Sequence, residues 1–269
     1  MNNIEKEMLE ILKKLKNNGA IAVKAEFEAE GTRTEELLRL LDIARKANMG
    51  IALKVGGCEA VKDLTEAKQI GVDYIIAPMV ETPYALEKFI QAKNKVFLEE
   101  EREDINFLIN VETETSFKNI DNIISLAKKN NGIDGLVFGR VDYVGSKKYH
   151  PDKVDERFVL NDCIEVSKKS KKNNLDFVVG GGISDRAIPN LKKLNEIHLS
   201  RFETRKIIFT NSAINSNNIK KSLLNAVHFE LLWLLNKRKF YSMIMEEDDK
   251  RLNMLNNRWK LLSSGQLKK

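Results

Sequence analysis

Ala20-Ile21-Ala22-Val23-Lys24-Ala25-Glu26-Phe27-Glu28-Ala29-Glu30 decides the fold. Its odd positions Ile21, Val23, Ala25 and Phe27 are apolar, while Lys24, Glu26, Glu28 and Glu30 put charge on the even ones. A period of two is the signature of a strand, whose side chains alternate between faces. If the apolar face packs on helices, the charged face points into a barrel or its upper mouth, where unpaired charge is costly. The same parity returns twice: Ile51, Leu53 and Val55 flank Lys54, and Phe107, Ile109 and Val111 alternate with Asn110 and Glu112. Three strands thus send ionisable groups to one place, late in each strand, where barrel active sites lie.

Outward from that stretch, short apolar runs alternate with amphipathic helical patterns, which predicts a parallel sheet with helical crossovers. The expected strands are 20–26, 51–55, 74–78, 96–99, 107–111, 135–138, 177–180 and 196–200. Thr82-Pro83 reads as a helix cap followed by proline at the first helical position. Eight such units over 269 residues predict an α/β fold, a (β/α)8 TIM barrel spanning residues 1–215, over the rival doubly wound sheet. Residues 216–269 read as a C-terminal helical extension, with one helix over 218–239 and a second over 246–262. The first carries Leu223, Leu224, Val227, Leu231, Leu234 and Leu235, and a stripe this apolar must be buried on the barrel or on a neighbouring subunit. A homo-oligomer through these helices is expected.

The net charge of +6 is spread over scattered lysines, without the basic stripe and interleaved aromatics of a nucleic-acid surface. No apolar run approaches the ~20 residues of a membrane span, and Met1 to Lys16 lacks the features of a signal peptide. A cytoplasmic protein with no nucleic-acid or membrane partner is expected. Cys58 and Cys163, the only cysteines, belong to no ligand-spaced cluster; Cys58 reads as a small packing residue.

Glu112 ends one strand and Asp142 follows the next, in Gly139-Arg140-Val141-Asp142. Two carboxylates plus waters suit a hard cation, Mg2+ or Mn2+; the alternative is a pair neutralised by Lys54 and Arg140 without metal. Gly180-Gly181-Gly182 precedes a helix and, with Arg201 and Glu203, could hold a phosphate or sugar acid; a tight turn is the competing reading. Arg205 and Lys206 read as a solvated loop. Lys54 or Lys24 could form a Schiff base, although ion pairing explains them more simply.

At these residues a family becomes visible. Gly71-Val-Asp-Tyr-Ile-Ile-Ala-Pro-Met-Val-Glu-Thr82, Asn110-Val-Glu-Thr113 and Ile133-Asp-Gly-Leu-Val-Phe-Gly-Arg-Val-Asp-Tyr143 resemble, in order and spacing, segments of the HpcH/HpaI aldolase and citrate lyase β-subunit superfamily. The resemblance implies a metal-loaded barrel that makes or breaks a carbon–carbon bond in a 2-oxo acid such as pyruvate, or in a related acyl thioester. It implies that Glu112 and Asp142 hold Mg2+ or Mn2+, and that the backbone at Gly56-Gly57 receives the substrate carboxylate. Arg140, Gly181 and Arg201 complete the expected set of substrate contacts. Two departures stand out. Lys54 occupies the position of the family's arginine and cannot offer a bidentate fork. Glu26 to Glu30 occupies the position of the aldolase branch's histidine base, so Glu28 or Glu30 is the expected base, with Lys54 beside it. A lysine-dependent aldolase and a non-catalytic sugar-acid-binding barrel are the alternatives.

Overall fold

A computed structural model describes residues 1–129 and 131–266. Eight strands close into a barrel in sequence order: β1 (Ala20–Glu26), β2 (Gly50–Lys54), β3 (Tyr74–Ala77), β4 (Asn106–Val111), β5 (Gly135–Gly139), β6 (Asp176–Gly180), β7 (Arg201–Glu203) and β8 (Ile207–Thr210). The first seven run parallel, with helices between β1 and β7 as crossovers. β8 is antiparallel to both β7 and β1 and is joined to β7 by a tight hairpin. The barrel is therefore of the expected (β/α)8 type, with its closing strand reversed.

Two expected strands are corrected. Residues 96–99 close the helix Pro83–Val96 and open the short helix Glu99–Arg102. Phe97, buried, continues the apolar face of Leu86 and Phe89 around the helix end. Residues 196–200 finish the helix Ile188–Ile197 and lead into β7. The sequence thus placed β7 several residues too early and hid β8, Ile-Ile-Phe-Thr, behind Glu203-Thr204-Arg205-Lys206. Thr82 caps as expected, its hydroxyl accepting from the Ala85 amide at 3.1 Å.

Strand parity places the site. Ala22, Ala52, Ile76, Leu108, Val137, Val178 and Ile208 form an apolar plug inside the barrel. One pleat higher on the same inward face stand Lys24, Lys54 and Asn110, then Glu26 and Glu112. The opposite parity, with Val23, Leu53 and Ile109, packs against the helices in the main core.

The two expected C-terminal helices are one continuous helix, Ile219–Gln266. No proline or glycine interrupts it before Gly265, so the 239–246 join has no breaker. At about 1.5 Å per residue it is about 72 Å long. Leu223, Ala226, Phe229 and Trp233 are buried, and the helix packs against the N-terminal helix Asn3–Lys16. Of the stripe read from sequence, only Leu223 lies on that face; Leu224, Val227, Leu231, Leu234 and Leu235 are exposed in the single chain. No helix among the described residues is long and apolar enough to cross a membrane.

Candidate functional site

A cavity of about 490 Å³ opens at the carboxyl ends of the parallel strands. Six acids line it (Glu26, Glu28, Glu112, Asp142, Glu203 and Glu230) against three bases, Lys24, Lys54 and Arg205. This excess of negative charge favours cationic or donor-rich ligands.

Two lysines organise the acids into chains. Lys24 Nζ lies 2.6 Å from Glu203 Oε1 and 3.2 Å from Glu26 Oε1. Lys54 Nζ lies 3.0 Å from Glu28 Oε2 and 3.6 Å from Glu112 Oε2. Burial alone would lower both lysines, but the charges of Glu203 and Glu26 hold the Lys24 ammonium well above its ordinary range. Glu112 and Glu28 do the same, more weakly, for Lys54. Burial also pushes Glu26 up, yet Lys24 and Lys54 overcome it and the carboxyl ends below its usual value.

Glu112 behaves differently. Only 1% exposed, it accepts the Met79 amide at 2.9 Å and the Asn110 amide nitrogen at 2.7 Å. Burial nevertheless dominates, Asp142 adds like charge, and the carboxyl is raised above its usual range. Gly139 makes room for it: a Cβ there would stand 2.8 Å from the Glu112 side chain. Asp142 lines the cavity from an exposed position in the helix Arg140–Ser146.

Several expected residues sit elsewhere. Arg140 is 3% exposed and turned away from the cavity. Its guanidinium donates to Asp155 at 2.7 Å and to the Gly181 carbonyl at 3.0 Å. It is thus a clamp on the glycine loop rather than a ligand contact. Gly181 lines the cavity in the left-handed region (φ +79°), where a Cβ would strike the Val141 amide nitrogen at 2.7 Å. Arg201 lies at the opposite end of the barrel, because it begins β7; it pairs with Asp176 at 2.6 Å. Gly56 and Gly57 do not line the cavity: the Gly56 amide already donates to Asp63 at 2.7 Å, and the next helix starts only at Val61. Glu30 pairs with Lys206 outside the cavity, whereas Glu28 lines it. Lys206 is no loop lysine but 1% exposed, beneath the ring of Trp233. None of the three histidines lines the cavity.

The sequence reading underrated Glu203 and missed Glu230, which lines the cavity. Glu203 is 4% exposed, and its Oε2 has no hydrogen-bond partner. Asn110 Oδ1 is likewise buried and unpartnered; its orientation is fixed, since only the amide NH2 can donate to the Glu112 carboxylate. Period two does place Asn110 on the inward face, but Glu203 lies in a three-residue strand too short for periodicity to show.

The described residues hold no cluster of three or more histidine, cysteine or acidic side chains arranged around a common metal position. Glu112 and Asp142 still fit a hard cation: both offer oxygen, each Glu112 oxygen keeps a lone pair beyond its present bond, and Mg2+ commonly takes only one or two protein carboxylates.

Among curated proteins, none matches this sequence. Solved structures share the fold. An HpcH/HpaI aldolase from Desulfitobacterium hafniense DCB-2 superposes with a TM-score of 0.61 at 11% identity, over 73% of this chain and 82% of that one. An HpcH/HpaI aldolase/citrate lyase family protein from Burkholderia cenocepacia J2315 gives 0.60 at 11% identity, over 91% and 100%. The citrate synthase SbnG gives 0.55 at 15%, over 72% and 89%. The sequence profile of HpcH/HpaI aldolase/citrate lyase matches residues 21–188, more than half the chain. With the barrel and its acidic mouth in place, that match assigns the chain to the HpcH/HpaI aldolase/citrate lyase family, and with it to lyase-type enzymes.

Proposed function

We propose that this chain is a metal-dependent carbon–carbon lyase acting on a 2-oxo acid or related carboxylate. The observation that carries the reading is the convergence of Glu112 and Asp142 on one cavity in which acids outnumber bases. The family is generally dependent on a divalent metal. When bound, Mg2+ or Mn2+ would supply Lewis-acid stabilisation to an enolate oxygen.

The chain's own groups take the remaining roles. Lys54, held between Glu28 and Glu112, offers a fixed positive charge to the substrate carboxylate. Glu28, with its side chain 24% exposed, is the most accessible carboxylate of the two lysine-linked chains. In the cleavage direction Glu28 takes the proton from the substrate hydroxyl as the carbon–carbon bond breaks. The bonding electron pair passes to the oxo-acid fragment as its enolate, which is then protonated at carbon. Asn110 Oδ1 and Glu203 Oε2, buried acceptors without donors, favour a substrate that brings hydroxyl groups, since an unmet buried acceptor costs about 1–3 kcal/mol.

A Schiff-base route needs a neutral amine. The upward shifts of Lys24 and Lys54 keep both protonated, which favours the metal route. The test is Mn2+ binding followed by electron paramagnetic resonance, in parallel with deuterium exchange into the methyl group of pyruvate. Glu112→Gln and Asp142→Asn should each weaken Mn2+ binding at least about 10-fold, the lower end for lost ligation support. Undiminished affinity in both variants would refute the assignment.

A further inference from the structure

The C-terminal helix has an inner face and an unclaimed one. The inner face, through Leu223, Ala226, Phe229 and Trp233, is buried on the chain's own barrel and N-terminal helix. On the other side Leu224, Val227, Leu231, Leu234, Met245, Leu252, Leu255, Trp259 and Leu262 are each 52–70% exposed. From Leu224 to Leu262 their spacing alternates three and four, and Arg238, Tyr241 and Asp248 complete the series. That is a 3.5-residue repeat held over nearly six heptads, the seam of a coiled coil. Tyr241 is half-buried by its own Arg33 and Glu36. Beyond it, 242–262 has an apolar stripe and almost no cover from its own chain, whereas helices in proteins draw most of their stability from packing an amphipathic face.

We propose that this seam joins two copies of the chain as an antiparallel two-stranded coiled coil centred on Met243. The two charged seam positions choose the occupant and its direction. In a parallel pair, Arg238 would face Arg238 and Asp248 would face Asp248, two like-charge contacts. In the antiparallel pair centred on Met243, Arg238 faces Asp248 of the second copy, and this happens twice by symmetry. The same register sets Leu224 against Leu262, Val227 against Trp259, Leu231 against Leu255, Leu234 against Leu252 and Tyr241 against Met245. Every apolar seam residue meets an apolar or aromatic one. Neither Arg238 nor Asp248 has an ion-pair partner within its own chain among the described residues.

The register also touches the site. Val227 lines the cavity, so Trp259 of the second copy comes to rest at its rim, beside Glu230 and Arg205. The dimer thus closes one side of a mouth that the single chain leaves open. The interface stands on the helix alone and does not depend on the chemistry proposed above.

Light scattering on the full chain at micromolar concentration should give twice the 30.8 kDa chain mass. Asp248→Arg and Arg238→Asp should each weaken association about 100-fold, because each places like charges together twice at the seam centre. An equimolar mixture of the two variants should dimerise again, since one seam then carries only positive and the other only negative charge. That rescue also shows that neither variant failed to fold. A monomeric native chain, single variants that dimerise as the native chain does, or a mixture that stays monomeric would each overturn the proposal.

Discussion

Replacing Lys24 by methionine tests whether the acid–lysine chains hold the barrel mouth together. The change keeps a stem of similar length and removes the charge between Glu203 and Glu26, which lie 2.6 and 3.2 Å from Nζ. Both acids are under 7% exposed, so Glu203 is left as an uncompensated buried charge and Glu26 keeps only the charges of Lys54 and Lys206. Breaking a buried pair in this way costs about 3–5 kcal/mol. The pH dependence gives a second, sharper reading. In the native chain the Lys24 pKa is raised, so its contribution is complete below its unfolded value of about 10.4 and fades only in alkali. The Glu26 pKa is lowered, so its contribution is present above about 4.3 and fades only in acid. Across pH 5–8 these two groups therefore add no slope. Without Lys24, burial is opposed only by the charges of Lys54 and Lys206 and moves the Glu26 carboxyl upward, and a raised carboxyl loses stability as pH increases through its folded value. The penalty of Lys24→Met should grow from pH 5 to pH 8, and adding Glu203→Gln should recover about 1–3 kcal/mol of it. Urea unfolding of the native chain and both variants at several pH values measures all of this. A loss under about 1 kcal/mol that stays flat with pH would refute the view that Lys24 is the counter-charge of this cluster.

Gly139→Ala should cost about 1–3 kcal/mol of stability by overpacking. Its new Cβ meets Glu112 at 2.8 Å, at that residue's own Cβ as well as its carboxylate, so Mn2+ affinity should fall with it; a stable variant with full affinity would contradict the packing. Cys163 is buried, and burial pushes its thiol up to about 12, whereas Cys58 is half-buried. Iodoacetamide followed by mass spectrometry should label only Cys58 in the folded chain and both cysteines in urea.

The sequence made most of the barrel legible because period two and apolar runs report burial directly. β1, β2 and β4 could be read with their inward residues, since Lys24, Lys54, Asn110 and Glu112 break an otherwise apolar alternation. Val96-Phe97-Leu98 misled for the same reason: three apolar residues at a helix end look like a strand until Phe97 is seen to extend a helical face. β8 escaped because the turn before it carries Thr204, Arg205 and Lys206, which read as solvent. What that turn holds is visible only in three dimensions, where Lys206 is buried against Glu30 and Trp233. Arg140 and Arg201 looked like anion contacts from their positions beside glycines and strand ends. Each is instead committed to an aspartate, Asp155 and Asp176, brought close by folding.

The reversed β8 explains why the C-terminal helix belongs to the site at all. After a parallel eighth strand the chain would emerge at the mouth, and its helix would descend away from the chemistry. Here β8 runs down from the mouth, and Thr210 ends beside Gly19, at the foot of β1. The following helix must climb the whole height of the barrel antiparallel to the N-terminal helix, which sets His228 near Glu7 and Asn236 against Asn2. It therefore reaches the mouth within its first four turns, contributes Val227 and Glu230 to the cavity wall, and beyond Tyr241 still has about seven turns left to project, at about 3.6 residues per turn. One antiparallel hairpin of a few residues thus turns a structural helix into a wall of the site and leaves its far half free to meet a second chain.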